Sequence, residues 1–222
     1  MNAQGKRSGE TAREYAYRMI RKQVISLELK PGEAFNDMEF AAKIGVSRTP
    51  VREAVIQLSE ESRIIEIFPQ RGMRIAPIDV ELVEEARSLR VLLEKQIAGM
   101  CCEMATEEDI KWLQENVGLQ EFYMENSRPE MVMQLDDEMH HKLFMICHRE
   151  LTYGMCQKLA IHYDRIRSLS VNTVKDNTII EDHRKIIQFI AEHKKENAMA
   201  QMEKTKVSRY EKQQKRYKQK AC

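Results

Sequence analysis

The sequence contains no hydrophobic run near the roughly 18 residues that a membrane span requires. Residues 1–10 also lack the apolar stretch of a secretion signal. Glycine (8) and proline (5) are scarce among the 222 residues, which disfavours a loop-rich β architecture. These absences predict a cytoplasmic, mostly helical protein that has no membrane anchor.

The five cysteines are odd in number and form no C-x-x-C pair. Neither a disulfide framework nor a thiolate zinc site is therefore expected. Hydrophobic residues make up 42% of the chain and charged residues 32%, a composition typical of a globular protein with a real core. At roughly 100–200 residues per domain, the length suits two small domains.

The net charge of +1 conceals an uneven distribution. Residues 1–75 contain 13 Lys/Arg against 10 Asp/Glu, residues 76–202 contain 15 against 23, and residues 203–222 contain 8 against 2. This asymmetry indicates that different parts of the chain have different partners.

The N-terminal third predicts three short helices followed by a two-stranded hairpin. Thr11 and Glu14 form a capping box at the start of the first helix. Asn36 or Asp37 caps the second helix, and Gly45 ends it in a left-handed conformation. Three helices closed by a hairpin are the parts of a winged helix-turn-helix, whose recognition helix enters the major groove of DNA.

The third helix begins after Ser47, its predicted cap, and its apolar residues form one buried stripe. The other face and the hairpin tip offer arginines for guanine edges and hydroxyl groups for phosphate oxygens. We therefore predict DNA contacts from Ser47, Arg48, Thr49, Arg52, Arg71 and Gly72.

Three segments carry a resemblance to a known family: L-K-P-G-E at 29–33, G-V-S-R-T-P-V-R-E-A-V at 45–55 and Q-R-G-M-R-I-A-P at 70–77. They resemble the GntR family of bacterial transcription regulators. The remaining helical part is similar to the FadR-type (FCD) effector-binding domain. The resemblance implies a winged helix-turn-helix over residues 1–77 and an all-α antiparallel bundle over residues 78–222.

The resemblance also implies roles for the predicted DNA contacts. Arg48 and Arg52 would read bases, Ser47 and Thr49 would hold phosphates, and the hairpin tip would form the wing. The sequence departs from some members at Met38, where they place an arginine. The implied protein is a homodimeric regulator, a repressor by family default, that binds a palindromic operator and takes a small organic acid as its effector.

Asp136 and His140 lie four residues apart on a predicted helix, so their side chains share one face. A carboxylate–imidazole pair at this spacing is half of a site for a divalent cation. The spacing alone favours the ordinary alternative, an exposed contact between the two groups on a polar face.

The family resemblance favours the metal site over the exposed contact. Many FadR-type domains bind a metal through an Asp-x-x-x-His pair, a His in an E-x-H-R-like helix and one further His about six turns later. Asp136 and His140 match the pair, His183 matches the third position, and Thr205 stands in the fourth. The resemblance thus implies Zn²⁺ or Ni²⁺ held weakly by three ligands, with water or an effector carboxylate in the open positions.

Arg90 lies in a segment that the resemblance assigns to the effector cavity. Its guanidinium could clamp a small carboxylate through two hydrogen bonds. An ion pair with Glu94, four residues further on, is an equally good interpretation. Arg167 is a second effector-binding candidate of the same kind.

Two other functions are compatible with parts of the sequence. A helical metalloenzyme would use the three ligands for hydrolysis, with Asp137 or Glu138 as the base, but both residues fall on other faces of the helix. The sequence has no Gly-rich loop, nucleophile elbow or H-E-x-x-H motif. A winged helix that only binds proteins is disfavoured by Arg48 and Arg52 at the recognition positions.

Overall fold

A computed structural model of the protein describes residues 5–171 and 178–206. Internal contacts divide the chain into two units between Val80 and Glu81. The boundary that the sequence suggests, after residue 77, lies just before this division.

The N-terminal unit begins with three helices, α1 Ala12–Ile25, α2 Asp37–Ile44 and α3 Arg48–Ser62. The capping box at the start of α1 is confirmed, because the Thr11 hydroxyl accepts from the Glu14 N–H at 3.2 Å. Asn36 is the cap of α2, and its side chain accepts hydrogen bonds from the first turn.

A three-stranded antiparallel sheet completes this unit, with strands β1 Ala34–Phe35, β2 Ile65–Phe68 and β3 Gly72–Ile75 in the order β1-β3-β2. The predicted hairpin corresponds to β2 and β3. The additional strand β1, which pairs with the other edge of β3, was not predicted. Two residues are too few to produce the alternating pattern that reveals a strand in a sequence.

The buried stripe of α3 is confirmed, and it packs against α1. Val51, Val55 and Leu58 are fully buried, as are Ile20 and Val24 on α1. Burial of these apolar side chains fixes the direction in which the opposite face of α3 points. That face is the one that carries the predicted DNA contacts.

The second unit is all α. Its helices are α4 Val80–Met104, α5 Glu107–Glu125, α6 Pro129–Ile146, α7 Glu150–Val171, α8 Thr178–Ala191 and α9, which covers 195–206. Helix α5 packs against α6 and α8, and α6 packs against α7. The sequence pattern predicts the last helix over 195–217, and residues 207–217 lie outside the described residues.

The core of this bundle is apolar and includes buried thiols. Cys101 and Cys147 approach each other to 3.5 Å between sulfur atoms, and both remain free thiols. Among the described residues, no helix has both the length and the apolar composition needed to cross a bilayer.

Gly45 is the residue on which the turn between α2 and α3 depends. Its φ of 73° is left-handed, and a β-carbon added there would meet no atom within 4 Å. Gly45→Ala should therefore destabilise the N-terminal unit by about 1–2 kcal/mol through backbone strain alone. Urea unfolding followed by far-UV circular dichroism measures this change.

Gly118→Ala is the matched control. Gly118 lies inside α5, and a β-carbon there also meets nothing within 4 Å. Alanine is the better helix former by up to about 1 kcal/mol, so this variant should be stabilised. The fluorescence of Trp112, the only tryptophan, reports on α5. Effects of the same sign would contradict the assignment of strain to Gly45.

Candidate functional site

The predicted DNA contacts lie on the surface of the N-terminal unit. Each of the six residues is exposed: Ser47, Arg48, Thr49, Arg52, Arg71 and Gly72. Gly72 begins β3 with a φ of 97°, a conformation that suits glycine at a tight turn. Met38, at the position where some relatives have arginine, is also exposed.

Ser47 is the N-cap of α3 by backbone conformation, but its side chain makes no capping hydrogen bond. The expectation of a side-chain cap was wrong. Pro50 occupies the third helical position and has no N–H, which removes one of the two donors that a cap normally satisfies. The exposed Ser47 hydroxyl therefore leaves the N–H groups of the first turn without a side-chain cap.

Arg48 and Arg52 share a buried partner, Asp37, at the start of α2. Arg48 Nε donates to Asp37 Oδ1 at 3.0 Å, and Arg52 Nη1 lies 3.9 Å from Oδ2. The arginine side chains remain 56% and 61% exposed, whereas Asp37 is buried. One carboxylate thus binds Arg48 by a hydrogen bond and lies within ion-pair distance of Arg52.

The sequence-based reasoning considered Asp37 only as a possible helix cap. Its contact with Arg48 spans 11 positions and a change of helix. No periodic spacing connects these two residues. The acidic charge in the first turn of α2 was the only local signal, and it fits a helix N-terminus equally well.

The predicted metal ligands converge inside the second unit. Asp136 and His140 on α6 and His183 on α8 each offer a ligand atom, and these atoms lie within 4.8 Å of one another. All three side chains are buried. An exposed contact on a polar face, which the spacing alone favoured, was therefore wrong.

Neighbouring side chains orient the cluster. His183 Nδ1 lies 3.0 Å from Gln120 Oε1, and the Gln120 amide donates to Asn116 Oδ1 at 2.7 Å. His183 Nε2 is then left facing Asp136 Oδ1 at 3.5 Å. Such outer contacts are what fixes the tautomer of an imidazole at a metal site.

Two cations already contact the cluster. Arg167 donates to Asp136 Oδ2. The Lys206 ammonium lies 3.0 Å from His140 Nε2 and 2.7 Å from Glu94 Oε2. The donor atoms suit Zn²⁺ or Ni²⁺. The surroundings do not, because the lone pair of His140 Nε2 faces an ammonium group.

Burial disfavours the charged form of both groups beside Lys206. Burial lowers the pKa of His140 well below its ordinary value, so the imidazole is neutral. Burial alone would raise the pKa of Glu94, but the charges of Arg90 and Lys206 outweigh it and hold that pKa well below its ordinary value. Glu94 is therefore a carboxylate and Lys206 has an anionic partner.

Arg90 and Arg167, the predicted effector contacts, are buried among carboxylates. Arg90 Nε donates to Glu94 Oε1 at 2.8 Å, so the ion pair that was the alternative interpretation is present. Arg167 Nη1 donates to Asp137 and Asp164 at 2.8 Å each. Both guanidinium groups thus hold protein carboxylates.

Neither residue proposed as a hydrolytic base belongs to the three that offer metal ligands. Glu138 is exposed and accepts a hydrogen bond from Gln134 on the surface of α6. The carboxylate of Asp137 is paired with Arg167. His141 stacks on Tyr153, with 4.4 Å between ring centroids.

Glu94→Gln should lower the free energy of unfolding of the second unit by about 3–5 kcal/mol. The change removes the one carboxylate that Arg90 and Lys206 both contact. The control is Glu203→Gln, whose partly exposed pair with Lys95 should contribute at most about 1 kcal/mol. Urea unfolding followed by Trp112 fluorescence measures both. Equal effects would show that the buried charges do not depend on Glu94.

Comparisons with known proteins agree with this two-part architecture. The gntR family of bacterial regulatory proteins matches residues 12–75, and the FCD domain matches residues 85–205. The chain is 30% identical to the HTH-type transcriptional repressor RspR of Escherichia coli K12 over 158 residues, which cover 71% of this chain and 69% of that protein. It is also 30% identical, over 190 residues, to an HTH-type transcriptional regulator of Streptomyces ambofaciens, covering 83% and 78% of the two chains.

A solved structure shares the fold. McbR/YncC of Escherichia coli superposes with a TM-score of 0.78 at 18% identity, over 93% of this chain and 99% of that one. A helix-turn-helix with a β wing, the FCD helices that follow it and relatives that are transcriptional regulators lead to one conclusion. The chain is a transcriptional regulator of the GntR family, with a DNA-binding domain followed by an FCD domain.

Proposed function

We propose that the protein binds a short palindromic operator as a homodimer and represses transcription until a small organic acid binds its FCD domain. The N-terminal unit supplies the base contacts and the second unit supplies the ligand site. Such a regulator acts in the bacterial cytoplasm, where its DNA is.

The arrangement of Arg48 and Arg52 carries this proposal. Two exposed guanidinium groups lie at the start of α3 and share the buried carboxylate of Asp37. A guanidinium fixed in this way has donors left for guanine O6 and N7. Ser47 and Thr49, beside the free N–H groups of the first turn, suit phosphate oxygens, and Arg71 with Gly72 suits the backbone or the minor groove.

We infer a homodimer because a single recognition helix contacts only a few base pairs. A dimer with two-fold symmetry doubles the number of base pairs contacted when the operator is a palindrome. Repression is the role that the name of RspR gives to that relative. We extend it to this chain because the similarity covers both of its domains.

An acidic effector is supported by the state of Arg90. Its Nη1 group is buried, lies 3.7 Å from Asp164 and makes no hydrogen bond within the described part of the chain. A ligand carboxylate would complete its donor pattern and compete with Glu94 for the guanidinium. Arg167, held by three aspartates, would then serve mainly to position Asp136.

The ligand acts on DNA binding only if it and the operator favour different arrangements of the dimer. The coupling is then reciprocal, so the operator must weaken the binding of the acid by the same factor. The proposal includes a possible role for Zn²⁺ or Ni²⁺ bound by Asp136, His140 and His183. Such a metal ion would compete with the Lys206 ammonium for His140 Nε2.

Arg52→Ala tests the assignment of base reading. An operator is first selected from random duplexes with the wild-type protein. The variant should lose roughly 1–3 kcal/mol on that operator and relax the preference at one base position, because a bidentate base contact is removed. Arg13→Ala, an exposed arginine of α1, is the control for charge. Equal losses on operator and random DNA would instead make Arg52 a phosphate contact.

The dependence of binding on salt tests whether DNA is the partner. For the wild-type protein, the logarithm of the binding constant should fall with the logarithm of salt concentration at a slope of about −0.9 per phosphate contacted. Arg52→Ala should keep the wild-type slope if Arg52 contacts a base. Binding to the selected duplex that is indifferent to salt would contradict the proposed interface.

Asp37→Asn tests whether the carboxylate positions Arg48. The variant should lose about 1 kcal/mol on the selected operator, because its amide is a weaker acceptor for the guanidinium. Binding to random DNA should not fall, since a negative charge near phosphates has been removed. Glu39→Gln, an exposed change of equal charge on α2, is the control. An unchanged ratio of specific to random binding would exclude a positioning role.

A further inference from the structure

The side chain of Lys206 is the least expected part of the polar cluster. It is only 3% exposed, and lysine is almost never buried without a partner. It directly follows Thr205, the residue at the position of a fourth metal ligand. Thr205 itself donates its hydroxyl to the backbone carbonyl of Gln201 at 2.8 Å, within its own helix.

The Lys206 ammonium lies beside a carboxylate oxygen and an imidazole nitrogen, which are the kinds of atom that bind a metal ion. Its Nζ lies 2.7 Å from Glu94 Oε2 and 3.0 Å from His140 Nε2. An ammonium group has only donors, so it must donate to the lone pair of that imidazole nitrogen. A metal ion bound by His140 Nε2 needs the same lone pair.

The protonation of His140 agrees with this contact. With its Nε2 accepting from Lys206, the neutral ring carries its hydrogen on Nδ1. That nitrogen lies 3.2 Å from Glu94 Oε2, so the carboxylate faces both the ring and the ammonium group. Lys206, Glu94 and His140 therefore contact one another across α9, α4 and α6.

The charges of the neighbouring side chains also favour a cation at the position of the Lys206 ammonium. Among the described residues, the ion pairs around Lys206 include three cations and four carboxylates: Arg90, Arg167 and Lys206 with Glu94, Asp136, Asp137 and Asp164. Without Lys206 these pairs would hold two cations against four carboxylates. A divalent cation beside His140 would neutralise that excess.

We propose that the Lys206 ammonium is the resident cation of this site, and that it and a divalent metal ion exclude each other. The FCD domain of this chain then folds and binds its ligand without Zn²⁺ or Ni²⁺. The inference rests on the proposed ligand site of the FCD domain, and it names the residue that decides which cation occupies it.

Metal retention by the full-length protein tests this inference. Wild type, Lys206→Met and Lys204→Met are stripped with a chelator, exposed to Zn²⁺ or Ni²⁺, desalted and analysed for metal. Lys204 is exposed on the same helix and is the control. We expect retention of about one ion per chain by Lys206→Met only, with an affinity about 10–100-fold above that of wild type.

Thermal unfolding provides a readout that does not depend on ligand or DNA. Zn²⁺ should raise the unfolding temperature of Lys206→Met and leave that of wild type unchanged, because only the variant has a free His140 Nε2. Adding His140→Ala to Lys206→Met should abolish the rise. If the methionine variant does not fold, Lys206→Gln keeps a neutral side chain of similar length at the position.

Stoichiometric, chelator-resistant metal in the wild-type protein would overturn the inference, whatever the variants do. Metal retention by neither Lys206→Met nor Lys206→Gln would overturn it as well. Operator binding is measured in parallel. Failure of the wild-type protein to bind any selected duplex would overturn the proposed function and leave the result on Lys206 standing.

Discussion

The cost of removing charges from water constrains the second unit more than any other interaction does. An unpaired buried ion loses several kilocalories per mole of solvation, so each one requires a partner of opposite sign. In this bundle several of the partners lie on different helices. Glu94 on α4 contacts Lys206 on α9, and Arg167 on α7 contacts Asp136 on α6. The apolar core supplies the driving force for packing, and the ion pairs compensate the charges that this packing buries.

The N-terminal unit obeys the same constraint on a smaller scale. Asp37 is buried, but its two partners reach out to solvent. Such an arrangement keeps the carboxylate compensated and leaves the arginines free to exchange part of their hydration for DNA. In the bundle, by contrast, Arg90 and Glu94 are both buried, so a ligand must displace a protein carboxylate to reach the guanidinium.

Local signals were sufficient for most of the fold. The capping box at Thr11, the left-handed Gly45 and the 3.6-residue period of α3 each depend on residues within one or two turns. Strand β1 gave no such signal, because two residues pair with β3 only after the chain has folded. The approach of Asp136, His140 and His183 was implied by the family resemblance, since no spacing along the chain connects α6 with α8.

Lys206 shows why the occupant of that cluster was missed. Counting along a helix locates a Cα, and it led to Thr205, whose short side chain bonds to its own helix. The next residue points about 100° away, but a lysine carries its charge on a flexible four-carbon stem. Its ammonium reaches His140, 66 positions earlier in the chain. Where a helix lacks one metal-ligand residue, a cationic side chain at the adjacent position can therefore take the place of the metal ion. This is possible because the cluster requires a positive charge rather than a particular residue.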